Sequence, residues 1–177
     1  IRQPRVALLS TGDELVLPGD PIGPDQIISS NSIGLAAFVK SNGGVPINLG
    51  IAKDDPESLR AVLSSLTGAD MLVTIGGASV GDYDLVKSVL GEEGLDITFS
   101  RVAMRPGKPL IFGKINGIPM LGLPGNPVSA GVTAALFLRP AINKMLGTSA
   151  TSHVTETAVL GRDLDENDKR QDYLRST

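Results

Sequence analysis

Apolar and polar positions follow one another along this chain in blocks that predict strands and helices in alternation. Arg5-Val6-Ala7-Leu8-Leu9 is a short apolar run suited to a buried strand, and the polar, Pro/Gly-rich stretch from Ser10 to Ser30 reads as a loop. Asn31-Ser32 can cap a helix running to Val39-Lys40, with Gly43-Gly44 where helices end. Val45 to Ile51 predicts a second strand. Asp54 or Asp55 caps a helix with Pro56 at its first position, running to about Leu66. Met71 to Ile75 is a third strand, followed by a glycine loop and a helix from about Asp84 to Leu90. Three strand–helix units with short connections predict a largely parallel sheet.

The second half reads differently. Ile97 to Val102 is a strand, and Leu110–Ile115 and Ile118–Leu123 flank Asn116-Gly117, a strong hairpin signal. Asn126 then caps a helix with Pro127 at its first position; the helix runs to about Leu138, breaks or kinks near Pro140 and extends to Leu146. Residues 1–147 are therefore expected to form an α/β domain, a three-layer α/β/α arrangement on a mostly parallel, mixed sheet. Residues 148–177 are expected to form a linker and a truncated β segment with two short strand-like pieces around the charged stretch Arg162 to Arg170. Both chain ends read like those of a fragment.

Composition narrows the chemistry. With 177 residues and 3% aromatics, the core must be built from Leu, Val, Ile and Ala. A net charge of −3 argues against a broad nucleic-acid footprint, yet a few local cations and backbone N–H groups can still hold an anion. There is no cysteine and one histidine, His153, to which no role is assigned. Thiolate and multi-histidine metal centres and Cys-His catalysis are thereby excluded, and with the one histidine outside the Gly- and acid-rich connections no Ser-His-Asp arrangement is expected there. Any metal would sit on oxygen ligands, which favours Mg²⁺ over Zn²⁺. The longest apolar stretch, Val128 to Leu138, is too short to span a bilayer, so no membrane association is expected, and a cytoplasmic location is the default.

Five connections are rich in Gly, Pro and acidic residues: Ser10–Glu14, Lys53–Asp55, Gly76–Asp84, Arg105–Lys108 and Pro124–Pro127. The first three follow strands directly, and in a parallel sheet they lie at the carboxyl ends, where open α/β sheets bind ligands. The hairpin places the other two at the end opposite its turn, so all five can share one sheet edge. In Gly76–Asp84, successive glycines let backbone N–H groups converge on an anion, Ser79 adds a hydroxyl, and Asp82 and Asp84 would be reconciled with phosphate by a bridging Mg²⁺. A tight turn with Asp84 as helix cap explains the same residues equally well. Asp13 or Glu14 could meet a metal or stabilise a turn, and Asp54 could be a ligand or a cap. Arg105 and Lys108 suit an anion or a solvated turn, and Pro124-Gly125-Asn126-Pro127 a rigid ligand wall or a helix start.

Taken together, Ser10-Thr11-Gly12-Asp13-Glu14-Leu15, Thr74 to Asp84, Arg105-Pro106-Gly107-Lys108-Pro109-Leu110 and Gly122 to Ala130 resemble the molybdopterin molybdenumtransferase family. The four motifs stand in the family's order between residues 5 and 147, and Lys169 to Arg175 is similar to a stretch of its last β domain. The resemblance implies a molybdopterin-binding α/β fold. It implies an activity in which molybdate is inserted into adenylated molybdopterin with Mg²⁺-dependent loss of AMP. By motif, Glu14, Asp54 and Asp84 would serve catalysis and, with Asp82, metal handling. Thr11, Gly12, Gly76, Gly77, Ser79, Gly81, Arg105, Lys108, Pro124, Gly125 and Pro127 would line the pterin, phosphate and anion sites. It further implies a homodimer in the full-length protein, with the site between this domain and a partner's N-terminal domains, and contact with the molybdopterin adenylyltransferase. The fragment would then bind without turning over. Ile75, Ala78, Arg105 and Ser30-Asn31 depart from the family pattern without removing a carboxylate or a glycine. Two other readings stand beside it: an adenylyltransferase or related nucleotide-handling domain of the same fold, and a scaffold module of the gephyrin kind.

Overall fold

A computed structural model describes residues 2–76, 91, 94–148, 155–164 and 166–174. The expected helix from Asp84 to Leu90 and His153 lie outside the described residues. Strand β1 (Arg5–Thr11) is buried from Val6 onward on both faces, as its unbroken apolar run requires of a central parallel strand. It is flanked by β4 (Val45–Ala52) and β5 (Met71–Ile75), both parallel to it. The main sheet then continues through β9 (Ile118–Leu123), β8 (Ile111–Ile115) and β6 (Leu95–Phe99), in the order β4-β1-β5-β9-β8-β6. Only β8 runs against its neighbours, pairing antiparallel with both β9 and β6, while β9 is parallel to β5. The Asn116-Gly117 turn joins β8 to β9, with Asn116 at φ 48° and Gly117 at φ 80°.

Side chains alternate across β1 and divide the core in two. Val6 and Leu8 pack with Leu35 and Val39 of α1 (Asn31–Ser41) and with Ala134, Leu138 and Ile142 of the long C-terminal helix. Ala7 and Leu9 pack on the other face with Leu59 of α2 (Pro56–Leu63). Helices on both faces make the three layers expected from sequence. Each fully buried Leu or Ile contributes about 1.5–3 kcal/mol, so the two clusters together hold the layers on the sheet.

The sequence reading and the structure differ in several local details. The helix after Pro127 is α3 (Pro127–Thr133), then a π-helical turn (Ala134–Leu138), then α4 (Arg139–Met145). The break expected at Pro140 is thus taken up by a widened turn just before a residue with no N–H to donate. The Ser10–Ser30 loop contains two short strands, β2 (Leu15–Val16) and β3 (Ile27–Ile28), paired parallel with each other. β6 ends at Phe99, short of the expected Val102. Within the tail, β10 (Gln171–Asp172) pairs with β7 (Met104–Arg105) through Gln171 N–H to Ala103 O and Tyr173 N–H to Arg105 O, both 2.8 Å.

Candidate functional site: a cleft at the carboxyl edge of the sheet

Because β1, β4, β5 and β9 are parallel, Thr11, Asp54, Gly76 and Pro124 all follow carboxyl ends on one edge. Ile111, at the start of the reversed β8, pairs with Gly122 near the end of β9, so the Arg105–Lys108 loop returns to the same edge. Four of the five connections share this edge, and the fifth starts there at Gly76, its remaining residues lying outside those described. Four strand-end segments, from Ser10, Ile27, Ile75 and Gly125 onward, enclose a cleft of about 310 Å³. That volume lies near the lower limit for small-molecule sites, roughly 300–1,000 Å³.

Thr11, Glu14, Gly76, Gly125 and Pro127 of the expected site residues line this cleft, together with Ser29, Ser30, Asn31 and Asn126. The backbone there is held very close. A Cβ on Gly76 would stand 2.5 Å from the Thr11 carbonyl oxygen, and its φ of +92° favours glycine in any case. Gly76 N–H donates to Leu123 O at 3.1 Å, tying the end of β5 to the end of β9. Gly12 is buried beneath the Glu14 side chain: a Cβ there would meet the carboxylate at 2.5 Å. Gly12 thus leaves room for Glu14 to fold back over the end of β1.

The polar partners are specific. Asn126 caps α3, its Oδ1 accepting from Val128 N–H at 3.0 Å and Ser129 N–H at 3.2 Å. Asp55, and not Asp54, caps α2, accepting from Ser58 N–H at 2.8 Å. Capping therefore does not explain Asp54, whose N–H donates to Asp13 Oδ1 at 3.1 Å. Asn31 does not cap α1; Ser30 holds that position without a side-chain cap bond, and Asn31 Nδ2 donates to Gly125 O at 2.6 Å. This tether across the cleft, and the Ser29–Ser10 hydroxyl hydrogen bond of 3.2 Å behind it, escaped the sequence reading. The Thr11 hydroxyl is buried with no hydrogen-bond partner among the described residues, an acceptor and donor held ready at the strand end.

Other expected residues lie apart from the cleft walls. Arg105 is engaged by Asp172 of β10, with Nε 3.0 Å from Oδ1 and Nη2 on Oδ2, and the carboxylate raises the guanidinium pKa further above its ordinary value. Lys108 is exposed on the same loop, Pro124 is buried, and Asp54 stands over the end of β4. Gly77, Ser79, Gly81, Asp82 and Asp84 lie outside the described residues. Among the described residues no group of three or more acidic or histidine side chains converges on a common point.

An α/β/α sheet with a glycine- and proline-walled cleft at its carboxyl edge defines a small-ligand-binding α/β domain. The chain belongs to the family described as a probable molybdopterin binding domain, which it matches over residues 7–144. It is similar to the molybdopterin molybdenumtransferase of a Nostoc species, 43% identical over 98% of this chain and 41% of that protein. It is likewise similar to the Bacillus subtilis molybdopterin molybdenumtransferase, 33% identical over 99% of this chain and 41% of that protein. Among solved structures, a molybdopterin biosynthesis MoeA protein from Pyrococcus horikosii superposes with a TM-score of 0.74 at 39% identity, covering 82% of this chain and 36% of that one. The resemblance carried by the four motifs is borne out, and so is the fold. The chain spans about two fifths of the length of the curated relatives it matches.

Proposed function

We propose that this chain is the ligand-binding part of a molybdopterin molybdenumtransferase. In this reading it holds adenylated molybdopterin at the carboxyl edge of its sheet while the full-length enzyme inserts molybdate into the dithiolene and releases AMP. The observation that supports it best is the cleft between the ends of β1, β5 and β9, where Thr11, Glu14, Gly76, Gly125 and Pro127 meet. These come from three of the four motifs shared with the family.

The donor chemistry fits Mg²⁺, since every acidic group near the edge is a hard oxygen ligand. Glu14 and Asp54 would supply part of the site, and Asp82 and Asp84 would complete it. Bound Mg²⁺ would stabilise the charge developing on the phosphate as AMP leaves. Thr11 would donate its hydroxyl to the ligand, and Lys108 would attract the oxometalate dianion from the rim. The acceptors and backbone of the cleft would orient the substrate and keep water from the reacting phosphate. The relatives' remaining length leaves room for the dimer partner's domains that would close the site.

Glu14 offers a direct test in the full-length protein. Glu14→Gln should reduce molybdate-dependent AMP release by ten-fold or more, with an unfolding midpoint like that of the wild type. Unaltered turnover would remove Glu14 from the mechanism.

A further inference from the structure

Strand β10 of the tail holds Arg105 by both backbone and side chain. Tyr173 N–H donates to Arg105 O and Gln171 N–H to Ala103 O, both at 2.8 Å, which sets Asp172 beside Arg105 in the parallel register. The Asp172 carboxylate accepts from Arg105 Nε at 3.0 Å and from Nη2. The two partners are unequal: the Asp172 side chain is 14% exposed and that of Arg105 52%. An ion pair half open to water contributes little to stability, and a two-residue strand adds little more. Stability alone is therefore a weak reason for the arrangement.

What the pair does fix is direction. A guanidinium offers two forks, one along Nε and Nη2 and one along Nη1 and Nη2. Asp172 fills the first, and among the described residues Nη1 has no hydrogen-bond partner. An arginine held by one fork presents the other already oriented, so less side-chain freedom is lost when an anion arrives. The loop itself is pinned as well. Val102 N–H donates to Lys108 O at 3.1 Å, and a Cβ on Gly107, which sits at φ +108°, would stand 2.5 Å from Thr133 Cγ2 of α3.

Asp172 does not make this rim acidic. Arg170, two residues earlier, donates through Nε to both Asp168 oxygens, at 3.0 and 2.9 Å, and both residues act on Arg105 through space. Asp168, Arg170, Asp172 and Arg105 cancel in pairs, and Lys108 adds one positive charge to the connection.

We propose that Asp172 is a positioning residue: it holds the Arg105 guanidinium by one edge so that the remaining fork, together with Lys108, receives the oxometalate dianion. The inference rests on the proposed reading that this loop meets that anion. Arg105 touches the ligand, and Asp172 acts only through Arg105. A lysine ammonium is a point charge with no second fork, so Arg105→Lys removes the arrangement even though it keeps the charge.

The test uses the full-length enzyme and follows molybdate-dependent AMP release. Asp172→Ala should raise the KM for molybdate about five-fold or more, with the KM for adenylated molybdopterin and kcat within about two-fold of wild type. The unfolding midpoint should stay close to that of the wild type. Asp172→Glu, which keeps a carboxylate beside Arg105, should recover most of the loss. With Arg105→Lys already in place, Asp172→Ala should add less than about two-fold, since residues that act as a unit are not additive. An unchanged or lowered KM for molybdate, an equal rise for both substrates, no recovery with Asp172→Glu, or full additivity each overturns the positioning role while leaving the proposed function standing. Wild-type enzyme whose AMP release does not respond to molybdate overturns the proposed function, and the role of Asp172 with it.

Discussion

The same strands end very differently at the two edges of the central sheet. At the amino edge, Asp70, immediately before β5, accepts from Arg2 Nη1 at 2.7 Å, Arg2 Nη2 at 2.6 Å and the Arg5 backbone N–H at 2.7 Å, closing the start of β1 onto the start of β5. At the carboxyl edge, the same two strands end in Thr11 and Gly76, with an unpartnered buried hydroxyl, a clash-limited glycine and exposed isoleucines alongside. A hollow of about 350 Å³ lined by Arg2, Pro4, Asp70, Pro119 and Met145 exists at the amino edge too, and it is more open. Volume therefore does not distinguish the two edges. The difference is that the charges of the amino edge are already spent on each other, whereas the carboxyl edge keeps the Thr11 hydroxyl buried and without a partner among the described residues.

That contrast can be broken most severely at Gly76. Gly76→Val places a side chain against the Thr11 carbonyl oxygen in a backbone conformation unfavourable to valine, and should cost about 3 kcal/mol or more, read as a fall in the denaturation midpoint. A midpoint equal to the wild type would mean that the strand ends are not held as closely as described.

The amino edge should respond in stability alone. Asp70→Ala removes the acceptor of three hydrogen bonds and should cost about 1–2 kcal/mol, with ligand affinity at the cleft unchanged. Burial pushes the Asp70 carboxyl up, but the Arg5 N–H and the Arg2 guanidinium outweigh it and set its pKa below the ordinary 3.8. A lowered carboxylate pKa contributes stability that is present above about pH 4 and is lost as pH falls through the folded-state value. The gap between wild type and Asp70→Ala should accordingly narrow in acid. A gap that widens below pH 4 would reverse the sign of this contribution.

The smallest effect is expected where both roles meet. Asn126→Ala loses the α3 cap and should cost about 1 kcal/mol, measured by thermal unfolding. Because Asn126 also lines the cleft, affinity should fall as well; an affinity that stays put would confine the residue to capping.

What could be read in the sequence was local or periodic. Asn126-Pro127 and Asp55-Pro56 carry their own capping chemistry within three residues, and Asn116-Gly117 carries its own turn. The shared edge followed from strand direction, which the connections dictate. The Asn31–Gly125 and Arg105–Asp172 contacts could not be read that way, since they join residues 94 and 67 positions apart. Asn31 looked like a cap because its local sequence suits one, and only the approach of β9 gives its side chain a different partner. The β2–β3 pair reads as a loop in the sequence because two-residue strands leave no alternating pattern to detect.

The Asn31 side chain has a further consequence for the order in which the protein comes into being. One wall of the cleft is encoded near residues 10–31 and the other near 125–127, with β9 slotted between β5 and the reversed β8. A chain emerging from the ribosome can pair β1 with β4 and β5 early, but has no second wall until β9 and the start of α3 have followed. Ligand cannot be held by a half-made chain, and closing so long a loop is slow compared with forming the helices it connects. A ligand of this cleft would therefore meet only molecules whose central sheet is already complete.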